Sequence, residues 1–337
     1  MTLTPDESAE IMTSLARMRL IGEGETPVLT PLPGGISSLI VCATTRHGSL
    51  CVKRALPQLK VAVAWQVSIE RNAAEVGWMR IASRVAPGSV PEILGEDIQG
   101  RAFAMSWLDP ARYPVWKAQL LAGIVDPATA RAVAAIISRV HNACAHDPEI
   151  AGQFANDGDF RAIRLDPYFG AAAVAHPECA AALSELIKRT ASTKHTLVHG
   201  DVSPKNVLVG VDGPLILDAE CAWYGDPAFD IAFCLTHLLL KCVWRPETTR
   251  DYLACFDAFA SGSLRQCGWE PPDDLEARAC ALLAGMLLAR VDGKSPVEYI
   301  TDDDHKGRIR RFARGFLLDQ PSCLATMRAA WRADWMP

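Results

Sequence analysis

Residues 197–230 constrain this chain more than any other stretch. They begin Leu197-Val198-His199-Gly200-Asp201-Val202-Ser203-Pro204-Lys205-Asn206-Val207-Leu208-Val209 and pass through a turn between Gly210 and Gly213. Leu215-Ile216-Leu217-Asp218-Ala219-Glu220 and then Tyr224-Gly225-Asp226-Pro227-Ala228-Phe229-Asp230 follow. The apolar runs 207–209 and 215–217, separated by an Asp-Gly turn, predict two short paired strands. Asp201 and Asn206 precede the first strand, and Asp218 and Glu220 follow the second. One end of the hairpin thus gathers two Asp, an Asn and a Glu. Residues 218 and 220 share a face if the strand continues, so both carboxylates are expected to converge there.

Such a donor set suits phosphoryl transfer. That reaction needs a carboxylate to receive the acceptor hydroxyl's proton and hard oxygen ligands for Mg²⁺. Asp201 is the candidate base, and Asn206, Asp218 and Glu220 are the candidate metal ligands. The five-residue step from Asp201 to Asn206 is the spacing of base and Asn in protein kinases.

His199-Gly200-Asp201, Asn206 and Asp218 together resemble the aminoglycoside phosphotransferase and choline kinase-like family of small-molecule kinases. The segment from Asp218-Ala219-Glu220 to Phe229-Asp230 further resembles methylthioribose kinases, which carry Asp-x-Glu at the metal site but usually lack the Asn present here as Asn206. The resemblance implies an α+β, bilobal protein-kinase-like fold, with an N-terminal antiparallel sheet and a larger, mainly helical C-terminal lobe. It also implies ATP and Mg²⁺, and it implies that Asp230 supports the catalytic loop. His-Gly-Asp replaces the protein-kinase His-Arg-Asp. An apolar helix follows Asp226-Pro227 directly, where a protein kinase has a long activation segment. A small hydroxylated acceptor is therefore expected rather than a peptide.

The first hundred residues supply a matching nucleotide half. Thr4-Pro5-Asp6-Glu7 forms a capping box for a helix with Ile11, Leu15 and Met18 on one face. Gly34, Gly35, Ser37 and Ser38 precede a β-rich run, where glycines let backbone N–H groups approach phosphate oxygens. A turn at Arg46-His47-Gly48 leads into the strand 50–55, and Lys53 on it resembles the kinase lysine that holds the α- and β-phosphates. The predicted helix 66–83 offers Glu70 or Glu75 as that lysine's partner. Val76, Trp78, Met79 and Ala82 as the core-facing set favour Glu75. An alternative is a surface pair of Arg71 with Glu75 at i, i+4. Strands are expected at 92–96 and 102–107, with Met105, Ser106 and Trp107 as the hinge that meets adenine in related kinases. The lobes then divide as 1–107 and 108–337.

Beyond the boundary the pattern is helical. Asp126-Pro127 caps a helix with Ala130, Val133, Ile137, Val140 and His141 on its core face. Buried helices are expected at 227–240 and 275–288. Residues 160–168 read either as a connector held by ion pairs or as an acceptor wall through Arg164. Tyr224 is another candidate for acceptor contacts, and the polar cluster from Arg290 and Asp292 to Tyr299 reads either as acceptor-recognition surface or as a solvated helix–helix turn.

Half of the 337 residues are apolar, enough for two lobes with sizeable cores, and the net charge of −5 argues against a nucleic-acid footprint. The longest apolar run, 231–240, is too short to span a membrane. The polar opening at 1–10 predicts no secretion leader, and a cytoplasmic location is expected. Eleven Cys without a Cys-x-x-Cys predict reduced core thiols. The leading expectation is an ATP-dependent phosphotransferase acting on a sugar, polyol, amino alcohol or similar metabolite. The alternatives are an aminoglycoside-modifying resistance kinase, a protein kinase, and an inactive nucleotide-binding module of the same fold.

Overall fold

A computed structural model describes residues 2–33, 38–56, 71–319 and 323–336. Gly34, Gly35, Ser37, Glu70 and the first residues of the expected 66–83 helix lie outside the described residues. The chain opens with the expected capped helix, Pro5–Arg17, in which the Thr4 side chain accepts from the Glu7 N–H and Glu7 accepts from the Thr4 N–H.

Five strands form an antiparallel sheet in the order β1-β2-β3-β5-β4. They are β1 (Val28–Pro31), β2 (Ser38–Thr45), β3 (Gly48–Ala55), β4 (Ile93–Asp97) and β5 (Ala102–Ser106). Strand alternation gives the sheet two different faces. Val41, Leu50, Val52 and Ala104 pack with Ile11 and Leu15 of the N-terminal helix. Lys53 pairs in register with Phe103, and Phe103 joins the larger core that also holds Val76, Trp78, Met79 and Ala82 of the helix Arg71–Val85. This places Lys53 on the face opposite the N-terminal helix.

The remainder is mostly helical, as the α+β expectation required. Asp126 caps Pro127–Cys144 by accepting from the Ala128 N–H, with Pro at the first turn. Every residue of Ala228–Trp244 except the last is buried, which is how a helix apolar on all sides must sit. Pro272–Asp292 packs beside it, and Arg161–Gly170 is a π-helical segment with Pro167 inside it. The predicted hairpin is present as β7 (Val207–Gly210) and β8 (Gly213–Ile216), with Val207 opposite Ile216. Among the described residues the cysteines form no disulfide, and no helix is long and apolar enough to cross a membrane.

Candidate active site

Asp230 holds the loop that carries Asp201. One of its oxygens accepts from the Gly200 N–H at 2.8 Å and the other from the His199 N–H at 2.9 Å. His141 Nε2 lies 3.0 Å from the second oxygen, so this core histidine is satisfied from within. Asp230 stands in the first turn of its helix, where the helix dipole favours its charge. Gly200 has φ +77°, and a Cβ there would meet the Cys221 carbonyl at 2.6 Å. The residue before Asp201 is therefore glycine for steric reasons.

His199 ties the Asp201 loop to the segment that leads into Asp218. Burial outweighs the nearby carboxylates and holds its pKa below the usual histidine value. The neutral ring accepts from the Asp201 N–H on Nδ1 at 3.1 Å and, on that tautomer, donates from Nε2 to the Leu217 carbonyl at 3.1 Å. The Asn206 amide donates to the Asp201 carbonyl at 3.0 Å, and the Leu217 N–H donates to the Asn206 carbonyl at 2.8 Å. Asp201 Oδ2 is 3.1 Å from Arg164 and 3.0 Å from Lys205. Arg164 also donates to the Gly200 carbonyl at 2.6 Å.

Across from this loop, Lys53 Nζ contacts Asp218 and lies 2.7 Å from Glu75. The Glu75 contact is an ion pair by distance, off the angle of a hydrogen bond. Of the two glutamates considered in the sequence, the one among the described residues thus meets the lysine. Burial disfavours the Lys53 ammonium, but Asp218 and Glu75 outweigh it and raise the pKa. One ammonium faces two carboxylates, and they divide. Burial pushes Asp218 up, yet Lys53 and then Lys205 hold it well below the usual carboxylate range. Glu75 is pushed up to about 7 by burial despite Lys53.

Asp218 has φ +66°, a left-handed conformation that non-glycine residues adopt at a cost and that clusters at functional sites. This corrects the same-face argument for residues 218 and 220. β8 ends at Ile216, so strand alternation does not extend to them. Glu220 instead gives Oε2 to buried Arg71 at 2.8 Å, and Arg71 is not the surface partner of Glu75. The donor set still fits a hard cation. Asp218 is kept ionised, and the Asn206 and Glu220 oxygens stand on neighbouring segments. Among the described residues no group of three or more His, Cys, Asp or Glu side chains gathers to hold a metal. Mg²⁺ fits such a site because it binds through one or two carboxylates and takes its other ligands from substrate phosphates and water.

The other expected residues divide. Ser38 lies at the start of β2 with a buried hydroxyl that has no partner among the described residues. Met105 pairs with Cys51 and Ile93 within the sheet. The Ser106 N–H donates to the Glu92 carbonyl at 2.9 Å and its hydroxyl accepts from the Glu92 N–H, so the Ser106 amide is not free for adenine. Trp107 follows the last strand. Arg164 does reach Asp201, but three expected acceptor contacts do not. Tyr224 donates to the His195 carbonyl at 3.0 Å and lines a separate cavity of about 460 Å³ with His146, Asp147 and Lys194. Asp292 is closed by His176 at 2.8 Å and by Arg310. Arg290 bonds the Tyr168 hydroxyl at 3.2 Å and Ser295, one residue removed from Arg164, whose guanidinium lies 5.8 Å from the Tyr168 ring. Sequence reasoning missed Lys205 and the true partner of Arg71. The i, i+4 step from Asp201 to Lys205 was the available signal for the first, and nothing local signalled the second.

The sheet, the helical remainder and a cluster that pairs a buried lysine with two carboxylates define the protein-kinase-like fold of small-molecule kinases. Residues 28–267 match the phosphotransferase enzyme family, and the chain belongs to it. Methylthioribose kinase 2 of Oryza sativa subsp. japonica is 23% identical over 250 residues, covering 66% of this chain. The chain spans 58% of the length of that relative. Methylthioribose kinase of Bacillus pumilus (strain SAFR-032) is 26% identical over 279 residues, covering 74% of this chain and 69% of the relative. Among solved structures, an amicoumacin kinase in complex with AMP-PNP, Ca²⁺ and Ami superposes with a TM-score of 0.56 at 17% identity, over 88% of this chain and 90% of that one.

Proposed function

We propose that this chain is an ATP-dependent O-phosphotransferase that phosphorylates a hydroxyl of a small metabolite such as a sugar, polyol or amino alcohol. The observation that carries the proposal is the meeting of Asp201, Asn206, Asp218 and the Lys53–Glu75 pair around one hairpin end. Residues 1–107 form the nucleotide lobe in this proposal and residues 108–337 the catalytic and acceptor lobe. Lys53, the backbone of 34–38 with the Ser38 hydroxyl, which has no partner among the described residues, and the Met105–Trp107 hinge, through groups other than the Ser106 amide, hold the nucleotide. Asp201 orients the acceptor hydroxyl and receives its proton as the oxygen attacks the γ-phosphorus and ADP leaves. Lys205 and Arg164 fix the Asp201 carboxylate and offset charge next to it. Asn206, Asp218 and Glu220 would hold Mg²⁺, which would supply positive charge to offset the negative charge developing on the transferred phosphoryl group. Catalysis of this kind is positioning plus electrostatics.

The test is ADP release measured with a panel of hydroxylated metabolites and aminoglycosides. An acceptor whose turnover disappears in Asp201→Asn supports the proposal. A catalysed acceptor whose turnover survives that substitution refutes the assigned base.

A further inference from the structure

Among the side chains turned inward from the Ala228–Trp244 helix, three stand one turn apart on one face: Phe233, His237 and Lys241. That face starts at Asp230, which holds the catalytic loop, and Lys241 lies about 16 Å further along the axis at 1.5 Å per residue. Phe233 lies under the Arg164 guanidinium at 5.7 Å, and its ring is 5.3 Å from that of His237. The face therefore leads from Asp201, through Arg164, into the helical lobe.

Basic side chains collect along it, and among the described residues no acid is matched to His237, Lys241 or Arg290. His237 is 8% exposed and its Nε2 has no partner among the described residues. Burial comes first in lowering its pKa, and the positive charges of Arg290, Lys241, Lys205 and Lys117 add to that. Lys241 is 1% exposed. Its ammonium sits 4.7 Å from the Trp244 ring and 4.6 Å from the Tyr299 ring, and among the described residues no carboxylate pairs with it. Among the described residues Arg290 bonds Tyr168 and Ser295 but no carboxylate, and neither its buried Nε nor the buried Tyr299 hydroxyl has a partner. Glu298 is the nearby acid, and Lys117 already takes it. Arg290 also borders a cavity of about 230 Å³ with Val291, Glu298 and Lys306, so the edge of the cluster is open.

Buried charges stay in proteins when something pairs with them, and unpartnered donors are costly. We propose that the acceptor carries an anionic group, a carboxylate or a phosphate, that Lys241, His237 and Arg290 bind while its hydroxyl meets Asp201. This rests on the phosphotransferase reading and narrows it to hydroxy acids or phosphorylated polyols. It disfavours a cationic acceptor, because Lys241 already occupies the Trp244–Tyr299 aromatic pair that an ammonium would seek. Burial first, and then Lys117 against Glu298, pushes the Lys241 ammonium down to about 7. A bound anion raises it again, so binding takes up a proton above that pH. Lys117 and Glu298 are the charged groups facing it, His237 is the neighbouring titratable ring, and Tyr299 is held protonated by burial.

The experiment compares matched acceptors on the 337-residue chain: gluconate with sorbitol, and sorbitol 6-phosphate with sorbitol, six-carbon chains long enough to reach from Asp201 toward the basic cluster. Thermal protection by gluconate and by inorganic phosphate is measured alongside ADP release. The anionic member should be favoured, and the carboxylate and phosphate pairs report which anion fits. Lys241→Met and, separately, Arg290→Gln should raise KM for that member roughly 10–100-fold, the worth of a charge-assisted hydrogen bond, and far more than they lower kcat. Lys241→Arg should restore most of the loss, and the tightening on acidification toward about 7 should be absent in Lys241→Met. Asp201-dependent turnover that prefers the neutral members, or a preference unchanged in both variants, overturns the anion site and leaves the phosphotransferase standing. Anion protection lost in Lys241→Met with no ADP release from any member leaves the anion site standing and refutes phosphotransfer. Neither protection nor preference overturns the anion site.

Discussion

Lys53 and Lys241 are both buried lysines, 3% and 1% exposed, and their surroundings treat them in opposite ways. Lys53 meets two carboxylates, and its pKa rises. Lys241 meets two aromatic rings, and burial pushes it down to about 7. On the proposed nucleotide side each buried cation has a carboxylate partner, Lys53 with Asp218 and Glu75 and Arg71 with Glu220. That side can hold its geometry before any ligand arrives. The acceptor side is unbalanced, and an anion is what would balance it. A nucleotide triphosphate brings its own counter-cation, so the protein need not leave charge open for it. An acceptor brings none, and the protein must supply the complement itself.

The first way to break this contrast is to remove the residue between the two regions. Asp201→Asn should lower kcat by about 10²–10⁴-fold, the usual contribution of a positioned general base. Nucleotide affinity, measured by calorimetry, should stay near that of the wild type because Asp201 is paired to Arg164 and Lys205 and not to Lys53. Near-normal kcat in this variant would remove Asp201 from the chemistry. Asp218→Ala should next abolish the Mg²⁺ enhancement of nucleotide binding, since it takes away the carboxylate that Lys53 and Lys205 keep ionised. A variant that keeps the full enhancement would place the cation elsewhere.

The balanced side also carries a pH signature. The Glu75 carboxyl titrates at about 7 in the folded chain against 4.5 for the free group. A raised acid binds its proton more tightly folded than unfolded, so its contribution to stability falls as pH rises from 4.5 to about 7 and is flat above. Asp218, with a lowered value, changes only below 3.8, outside that window. Wild type should therefore lose stability relative to Glu75→Gln across 4.5 to 7 in denaturant unfolding. A constant difference would mean that Glu75 is ionised throughout.

The two regions were also unequally legible. Lys53, Asp201, Asn206, Asp218 and Asp230 sit in short motifs whose spacing is dictated by a hairpin and a helix start, so local pattern found them. Glu75 followed from helix periodicity, with Val76, Trp78 and Ala82 as the buried set. The acceptor side is assembled from a π-helical segment, two long helices and the loop after the second, which are far apart in sequence. Lys241 and His237 lie inside an apolar run that reads as core, and only packing reveals that they share a face. Tyr224 and Asp292 failed for a related reason. Both are polar residues near motif boundaries, and the fold closes each of them with a partner from a distant segment, His195 and Arg310.

Glu220 can serve both the Arg71 ion pair and a bound cation, and the effect there should be the smallest. Its Oε2 is taken by Arg71 at 2.8 Å, which leaves the second oxygen to a cation. Glu220→Gln keeps an oxygen for Arg71 and removes the charge. If Glu220 helps to hold Mg²⁺, half-maximal activity should need more Mg²⁺, by less than about tenfold, since one partly neutralised carboxylate is worth about one hydrogen bond to a charged group. Asn206→Ala should then add to the shift, because the two side chains would share one ion. An unchanged Mg²⁺ requirement, with a loss only in thermal stability, would mean that Glu220 acts solely by neutralising Arg71. The nucleotide side would then rely on Asp218 and Asn206 for the metal, and the local likeness to methylthioribose kinases would reflect a shared ion pair more than a shared metal site.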